Sequence, residues 1–489
     1  MIFNSVTFLI FLVIVVTMYW LLSHRLRMWM LLVASCTFYG FWRWEFLFVM
    51  FASALTDYVT AQLIDSTPIE QKRKRKLLLM FTIIVNIGLL AYFKYLFFFS
   101  TNANMLMSWL GLDFLIPTFK VILPLGISFY TFETISYTVD VYRRLIPAEK
   151  NFLNYGLFVT FFPKLVAGPI QRAGELLDQL KQRPRFQLIY LSDGLTRILN
   201  GLFLKVVIAD NISPLVDEGF LQNPSLLSAI DVWTMAFLFG MQIYFDFSAY
   251  SHIALGTAKL MGITVPENFN FPYSSSSFRD FWKRWHISLS SWIRDYIYLP
   301  LAGIQVVKTT GAGGIGEGLD KSDYAGQRTT SLFVTWAVMG LWHGANWTYV
   351  VWGLYHAIMI FMERTLKPWR EKISFFNHPL VGWFLTVPLA MLGWIFFRAE
   401  SVTQAFTLVS KVVSLGEYKH LNFRENTYLV AAALMIATIC TYFVSNLARY
   451  SAAKWRWMML PFHLSKFAFI MAAVFIFLRP IKQYIYFQF

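Results

Sequence analysis

The residues best suited to chemistry in this sequence are two histidines, each in an apolar and aromatic setting. The first is His343, in GLWHGANW (Gly340–Trp347). Apolar runs flank it, Thr329–Leu341 and Thr348–Met362, with no charged linker between them. An ionisable group within or near membrane depth is costly, faces a bundle interior or cavity, and is functional by default. Removal from water favours the neutral imidazole, which can take the proton of an attacking hydroxyl. Gly344 and Ala345 are expected to leave room for a ligand to approach, and Asn346 in the same block is a candidate to bind it. The competing reading is a core histidine bonded to a backbone carbonyl.

The second is His286, in FRDFWKRWHISLSSWIRDYIYLPL (Phe278–Leu301). Phe278, Phe281, Trp282, Trp285, Leu289 and Trp292 recur at three- and four-residue spacing, which predicts one amphipathic helix. Arg279, Lys283, His286, Ser290 and Arg294 fall on another face, and Asp280 is placed to pair with Lys283 or Arg284. Such a helix suits the membrane interface. Its cations, Arg279, Lys283 and Arg284, equally suit the phosphates of a carrier-bound acyl group or a lipid head group. A third candidate, Asp246 in MQIYFDFSAYSH (Met241–His252), ends an apolar run from Val232. A carboxylate there needs a partner: it either holds a tunnel or orients a catalytic group, or it forms a structural salt bridge. His356, on an apolar run, reads as packing.

Other chemistries lack their residues. There is no GxSxG elbow and no HExxH helix. No carboxylate sits at metal spacing beside His286 or His343, and Cys36 and Cys440 are isolated, so no metal centre is expected. GAGGIGEG (Gly311–Gly318) lacks the Gly-Lys-Ser/Thr ending of a phosphate loop and reads as a flexible loop within an excursion from Gly303 to Arg328.

The elements that must hold these side chains are membrane helices. Of the 489 residues, 57% are hydrophobic and only 14% charged, against roughly 25% charged in soluble domains. Phe3–Leu22, Leu380–Phe397 and Thr427–Asn446 carry no charge, and Leu77–Phe99 carries only Lys94. About 20 such residues cross the hydrocarbon core, and there only helices or closed barrels satisfy the backbone. The runs are continuous and do not alternate, so the expected fold is all-α and polytopic. Roughly ten to twelve transmembrane helices, with re-entrant or interfacial helices, would surround a central funnel or tunnel as one domain over residues 1–489. The first run has no basic n-region or small-residue cleavage site and reads as a retained span. In the middle third, stretches such as FFPKLVAGPIQR (Phe161–Arg172) break the apolar pattern, which membrane depth tolerates only inside protein or beside water.

The formal charge of +15 sits in short connections. His24, Arg25 and Arg27 follow the first span, KRKRK (Lys72–Lys76) precedes the fourth, and Arg143 and Arg144 follow the fifth. The positive-inside rule makes all three cytoplasmic and the N-terminus outward. Topology therefore accounts for the basic excess, and nucleic acid is not an expected partner.

With these residues in view, the chain resembles the membrane-bound O-acyltransferase (MBOAT) family, and within it the bacterial alginate O-acetyltransferase branch. The similarity runs almost end to end, through LPLGISFYTFETISYTVDVYRR (Leu123–Arg144), FFPKLVAGPIQR, GLFLKVVIADNI (Gly201–Ile212), YFDFSAYSHIALGTAKLMGI (Tyr244–Ile263), RDFWKRWHISLS, GLWHG, GWIFFRAES (Gly393–Ser401) and the closing IYFQF (Ile485–Phe489). The resemblance implies that His343 matches the family's catalytic histidine, in a tunnel open to both membrane faces, and that His286 matches the second histidine associated with activity. It further implies a multi-pass protein of the inner (cytoplasmic) membrane, in contact with its lipids. The acyl donor would be acetyl-CoA or another thioester, with no tightly bound cofactor. Periplasmic or secreted partners would then complete polysaccharide acetylation. The similar D-alanyl transferases of teichoic acid synthesis, and a lipid-linked sugar transporter or flippase, are the alternatives. A transporter has no use for a neutral histidine in GLWHG.

Overall fold

The computed structural model describes residues 1–304, 306–308, 315–317, 325–451, 459–477 and 484–485. They are mostly helical, with irregular connections such as residues 112–124 and one antiparallel pair, Val306–Lys308 with Ile315–Glu317, in which Val306 faces Glu317. The glycine-rich stretch expected to be a loop thus contributes Ile315–Glu317 to a strand. The rest of it, like most of the Gly303–Arg328 excursion and all of IYFQF beyond Ile485, lies outside the described residues. Two compact units form: residues 1–195 with 254–266 and 291–327, and residues 196–253 with 267–290 and 328–489.

The first unit begins with α1 (Val6–Leu21), α2 (His24–Arg43), α3 (Phe46–Ser66) and α4 (Lys72–Leu90). A π-helical turn at Ala91–Tyr95 carries α4 into α5 (Leu96–Trp109), and α6 (Ile127–Tyr142) returns against α3 and α4. KRKRK, expected in a connection, forms the first turns of α4. The apolar pattern of α4 is inside out: Thr82 and Asn86 are buried while Ile84 is 65% and Leu77 58% exposed. A helix that buries amides and hydroxyls while presenting aliphatic chains outward is solvated by lipid. Its polar side meets Asp57 of α3, whose carboxylate accepts from Asn86 Nδ2 at 2.8 Å, from Thr138 Oγ1 of α6 at 3.2 Å and from Thr82 Oγ1. In α1 the buried stripe is Phe8, Leu12, Val15 and Tyr19, and Ser5 caps the helix by accepting from Phe8 N.

Irregular backbone in this unit is enclosed, as the sequence requires. Between α7 (Phe152–Thr160) and α8 (Ala173–Lys181) the chain makes turns over residues 161–172, with Phe161 and Phe162 fully buried. Lys164 pairs there with Glu133 of α6, and Phe162 N donates to Ser35 Oγ of α2 at 3.2 Å. Arg172 pairs with Asp295 at 2.9 Å.

Among the described residues, four helical stretches are long and apolar enough to cross a membrane: Phe46–Ser66, Lys72–Trp109, Leu188–Leu221 and Pro379–Arg398. Shorter apolar helices include Val6–Leu21 and Val402–Val413. Single cysteines placed at Asn4 and Gln71, in a background without Cys36 and Cys440, test the orientation. An outward N-terminus and a cytoplasmic start to α4 require that they react with an impermeant maleimide from opposite sides. Reaction from one side would overturn the topology.

The second unit takes its frame from the part of α9 (Leu188–Leu202) beyond Leu195, which runs through a π-helical stretch at Phe203–Ala209 into α10 (Asp210–Leu221), and from the part of the 32-residue α11 (Ala229–Leu260) up to Ile253. α12 (Phe278–Arg284) and α13 (Ile287–Ile293) follow, then a hairpin of α14 (Ala325–His343) and α15 (Trp347–Arg370). Against α15 lie α16 (Pro379–Arg398) and α17 (Val402–Val413).

Candidate active site

His343 is the last residue of α14, and Asn346 opens α15 by accepting from Thr348 N at 3.1 Å. That cap relieves an orphan N–H of the first turn, and Asn346 Nδ2 also donates to Glu400 O at 3.3 Å. The hairpin is closed by glycine. A Cβ at Gly340 would sit 2.2 Å from Tyr349 O, and one at Gly353 2.2 Å from Trp336 O. At Gly344 a Cβ would lie 2.1 Å from the Tyr349 ring. The space expected beside Gly344 for a ligand is therefore filled by the Tyr349 ring, brought there by the close backbone approach of the hairpin at Gly340. Gly340→Ala should force the helices apart. Lower activity together with a lower thermal midpoint is the expected result, and a fully active, equally stable variant would show that the hairpin yields.

His343 is 4% exposed. Three rings meet it edge-on: Trp342 at 4.9 Å, Trp352 at 5.0 Å and Phe397 at 5.2 Å between centroids. Phe397 and Tyr349 are also part of the wall of a cavity of about 620 Å³. The imidazole thus stands one aromatic layer behind a cavity large enough for a sugar or an acyl group. Asp246, Asn346, Gln242 and Thr348 also line that cavity, with Lys205, Asp210, Asp217, Arg398 and Glu400.

The charges in the cavity are arranged by depth. Lys205 and Asp246 side chains are 1% and 3% exposed and 2.7 Å apart, and Lys205 also meets Asp210 at 2.9 Å. Asp246 Oδ2 accepts from Ile485 N at 2.7 Å, and Lys205 Nζ lies 4.4 Å from the Tyr484 ring centre. The partner that Asp246 needs is therefore a lysine together with a backbone N–H. The π-helical stretch brings Lys205 to this place, a distortion common at functional sites. Farther out, Arg398 at the end of α16 pairs with Asp217 at 3.0 Å, their side chains 30% and 47% exposed.

The structure corrects the single helix expected over Phe278–Leu301. It breaks at Trp285–His286, where His286 takes a left-handed φ of 42°, and it passes into a π-helical stretch at Arg294–Tyr298. A left-handed non-glycine residue is uncommon and needs support. The support is Asn268, whose Oδ1 lies 3.0 Å from His286 Nδ1 and accepts from Ser288 Oγ at 2.8 Å and Ser288 N at 3.3 Å. Because Asn268 Oδ1 is the acceptor, Nδ1 carries the proton and Nε2 the lone pair. Phe247 packs edge-on to the imidazole at 4.7 Å.

His286 and His343 belong to one aromatic assembly. From Phe247 it runs through Phe269, Trp285 and Trp394 to Trp352, with ring centres 4.7 to 5.9 Å apart from Phe269 onward. His356 is fully buried among Trp282, Trp336 and Trp352, consistent with packing. Arg279 and Lys283 stay exposed on the outer side of α12. Arg284 is engaged with Asp280 at 2.9 Å, one of the two pairings expected. None of these three cations lines the cavity.

Sequence reasoning passed over Lys205, Asp210, Asp217, Arg398 and Glu400. Lys205 carried a readable signal, a lone lysine in the apolar run of GLFLKVVIADNI, which membrane depth makes functional by default. Arg398 and Glu400 follow an apolar span and looked like an ordinary charged end.

Helices that bury their polar side chains and turn aliphatic ones outward define a polytopic membrane protein, with a polar cavity one ring from a buried histidine. The family model for the membrane-bound O-acyltransferase family matches residues 7–313 and 318–403. The chain belongs to that family and is an acyltransferase. It is 39% identical to the "Probable alginate O-acetylase" of Pseudomonas putida over 447 residues, covering 91% of this chain and 87% of the relative. It is 33% identical to the "Peptidoglycan O-acetyltransferase" of Helicobacter pylori over 82% of this chain and 77% of that one. To the "Teichoic acid D-alanyltransferase" of Bacillus subtilis it is 30% identical over 52% and 62%.

Proposed function

We propose that the protein transfers an acetyl group from a cytoplasmic thioester, such as acetyl-CoA, through the inner membrane to a hydroxyl acceptor on the far side. Periplasmic or secreted partners then place the group on an extracellular, alginate-like polysaccharide. No tightly bound cofactor is needed. The observation that carries this reading is His343, buried at the end of α14 and one ring from a polar cavity. The names of the relatives aligned over most of the chain support acetyl over D-alanyl, since the D-alanyl transferase match covers about half of it.

In the reaction the ring layer of Phe397 and Tyr349 gives way so that the acceptor reaches His343, and the acceptor oxygen attacks the thioester carbonyl carbon as His343 takes the hydroxyl proton. The C–S bond breaks, an oxygen ester forms, and the departing sulfur recovers a proton as thiol. A positioned base contributes typically about 10²–10⁴-fold. His286, with its lone pair on Nε2, and the exposed cations Arg279 and Lys283 are assigned to the donor side, with Arg284 holding α12 through Asp280.

The test is purified protein in proteoliposomes with acetyl-CoA carrying a labelled acetyl group. Release of free thiol in step with labelled oxygen ester is expected. Movement of a labelled lipid-linked sugar without thiol release would replace this reading with transport. Transfer of D-alanyl but not acetyl groups would move the protein to the teichoic acid side of the family.

A further inference from the structure

The cavity beside His343 has the opposite charge to the chain. The protein carries a formal +15, yet the described residues lining the cavity place four carboxylates, Asp210, Asp217, Asp246 and Glu400, against two cations, Lys205 and Arg398. Both cations already face carboxylates. Lys205 is shared between Asp246 and Asp210, and Arg398 holds Asp217. The surplus is therefore divided, one negative charge in the buried group around Lys205 and one at the exposed Glu400. Low-dielectric walls focus such a field and change local concentrations of charged solutes by about 10–10³-fold.

We propose that this cavity selects its acyl acceptor by charge, admitting neutral or cationic hydroxyl compounds and turning away anionic ones. The inference rests on reading the cavity as the acceptor's approach to His343. It names Glu400 as a specificity-determining residue, with Asp217 cancelling the charge of Arg398 and the buried Lys205 group setting the sign of the interior. An acidic polymer chain does not then enter to collect the acyl group itself, which agrees with transfer to the polymer being completed by outside partners.

The test reads the cavity without using catalysis. Ser213 lines it and is 9% exposed, so Ser213→Cys, in a background lacking Cys36 and Cys440, places a thiol inside with little change in size. Its reaction rates with a trimethylammonium-ethyl and a sulfonatoethyl methanethiosulfonate are measured on folded protein and normalised to those of 2-mercaptoethanol. A preference of about tenfold for the cation is expected, shrinking in high salt and on adding Glu400→Gln or Asp217→Asn. Equal normalised rates, or a preference for the anion, would overturn the proposal. So would inertness to both reagents in protein that elutes as wild type, since the cavity would then admit no solute. Charge selection without thioester consumption would reject the proposed reaction alone. Thioester consumption without charge selection would reject this inference alone.

Discussion

His343→Ala should abolish acyl transfer while the protein still inserts, purifies and elutes as wild type. The expected loss is at least about 10²–10⁴-fold, the usual contribution of a positioned base. Alanine also removes a ring packed against Trp342, Trp352 and Phe397, so a lower thermal midpoint alone would be ambiguous. His343→Gln separates the two effects. Glutamine fills much of the space and keeps a hydrogen-bonding group, yet it takes up no proton near neutral pH, so it should be as inactive as alanine. Turnover near wild type in the Gln variant would mean that His343 only positions the acceptor. The base would then be sought at His286, whose Nε2 lone pair is fixed by the Nδ1 contact with Asn268.

The largest loss of stability is expected at Lys205. Its ammonium and the Asp246 carboxylate are almost wholly buried, and removing one partner of such a pair typically costs about 3–5 kcal/mol because the other charge is left uncompensated. Lys205→Met should therefore lower the detergent-solubilised thermal midpoint steeply. Replacing both members, as Lys205→Met with Asp246→Asn, should recover much of it, because the amide leaves no buried charge at that position while its oxygen can still accept from Ile485 N. A double variant no more stable than the single would mean that packing, or the Asp210 carboxylate left without its lysine, sets the loss.

How much of this was legible beforehand follows from what each signal measures. Uncharged apolar runs reported helices well: the uncharged Leu380–Phe397 became Pro379–Arg398, and Leu77–Phe99 became the middle of a longer helix. His343 was legible because an ionisable group between two apolar runs has few structural uses. The break at His286 was not. Apolar spacing continues smoothly across it, and the left-handed turn is supported by Asn268, distant in sequence and without a pattern of its own. The partner of Asp246 was hidden for the same reason, lying 41 residues away on a π-helical stretch. Spacing reports what one element buries, not which element answers it.

The rings around His343 also make its charge visible to light. Two indoles, Trp342 and Trp352, stand edge-on within about 5 Å of the imidazole, and a protonated imidazole quenches the emission of a neighbouring indole. The chain has 18 tryptophans, but subtracting the pH titration of His343→Ala from that of the native protein isolates those that sense this one residue. The difference curve would report when the imidazole gains its proton, in the absence of donor or acceptor, and so assign the charge state of the resting enzyme by spectroscopy.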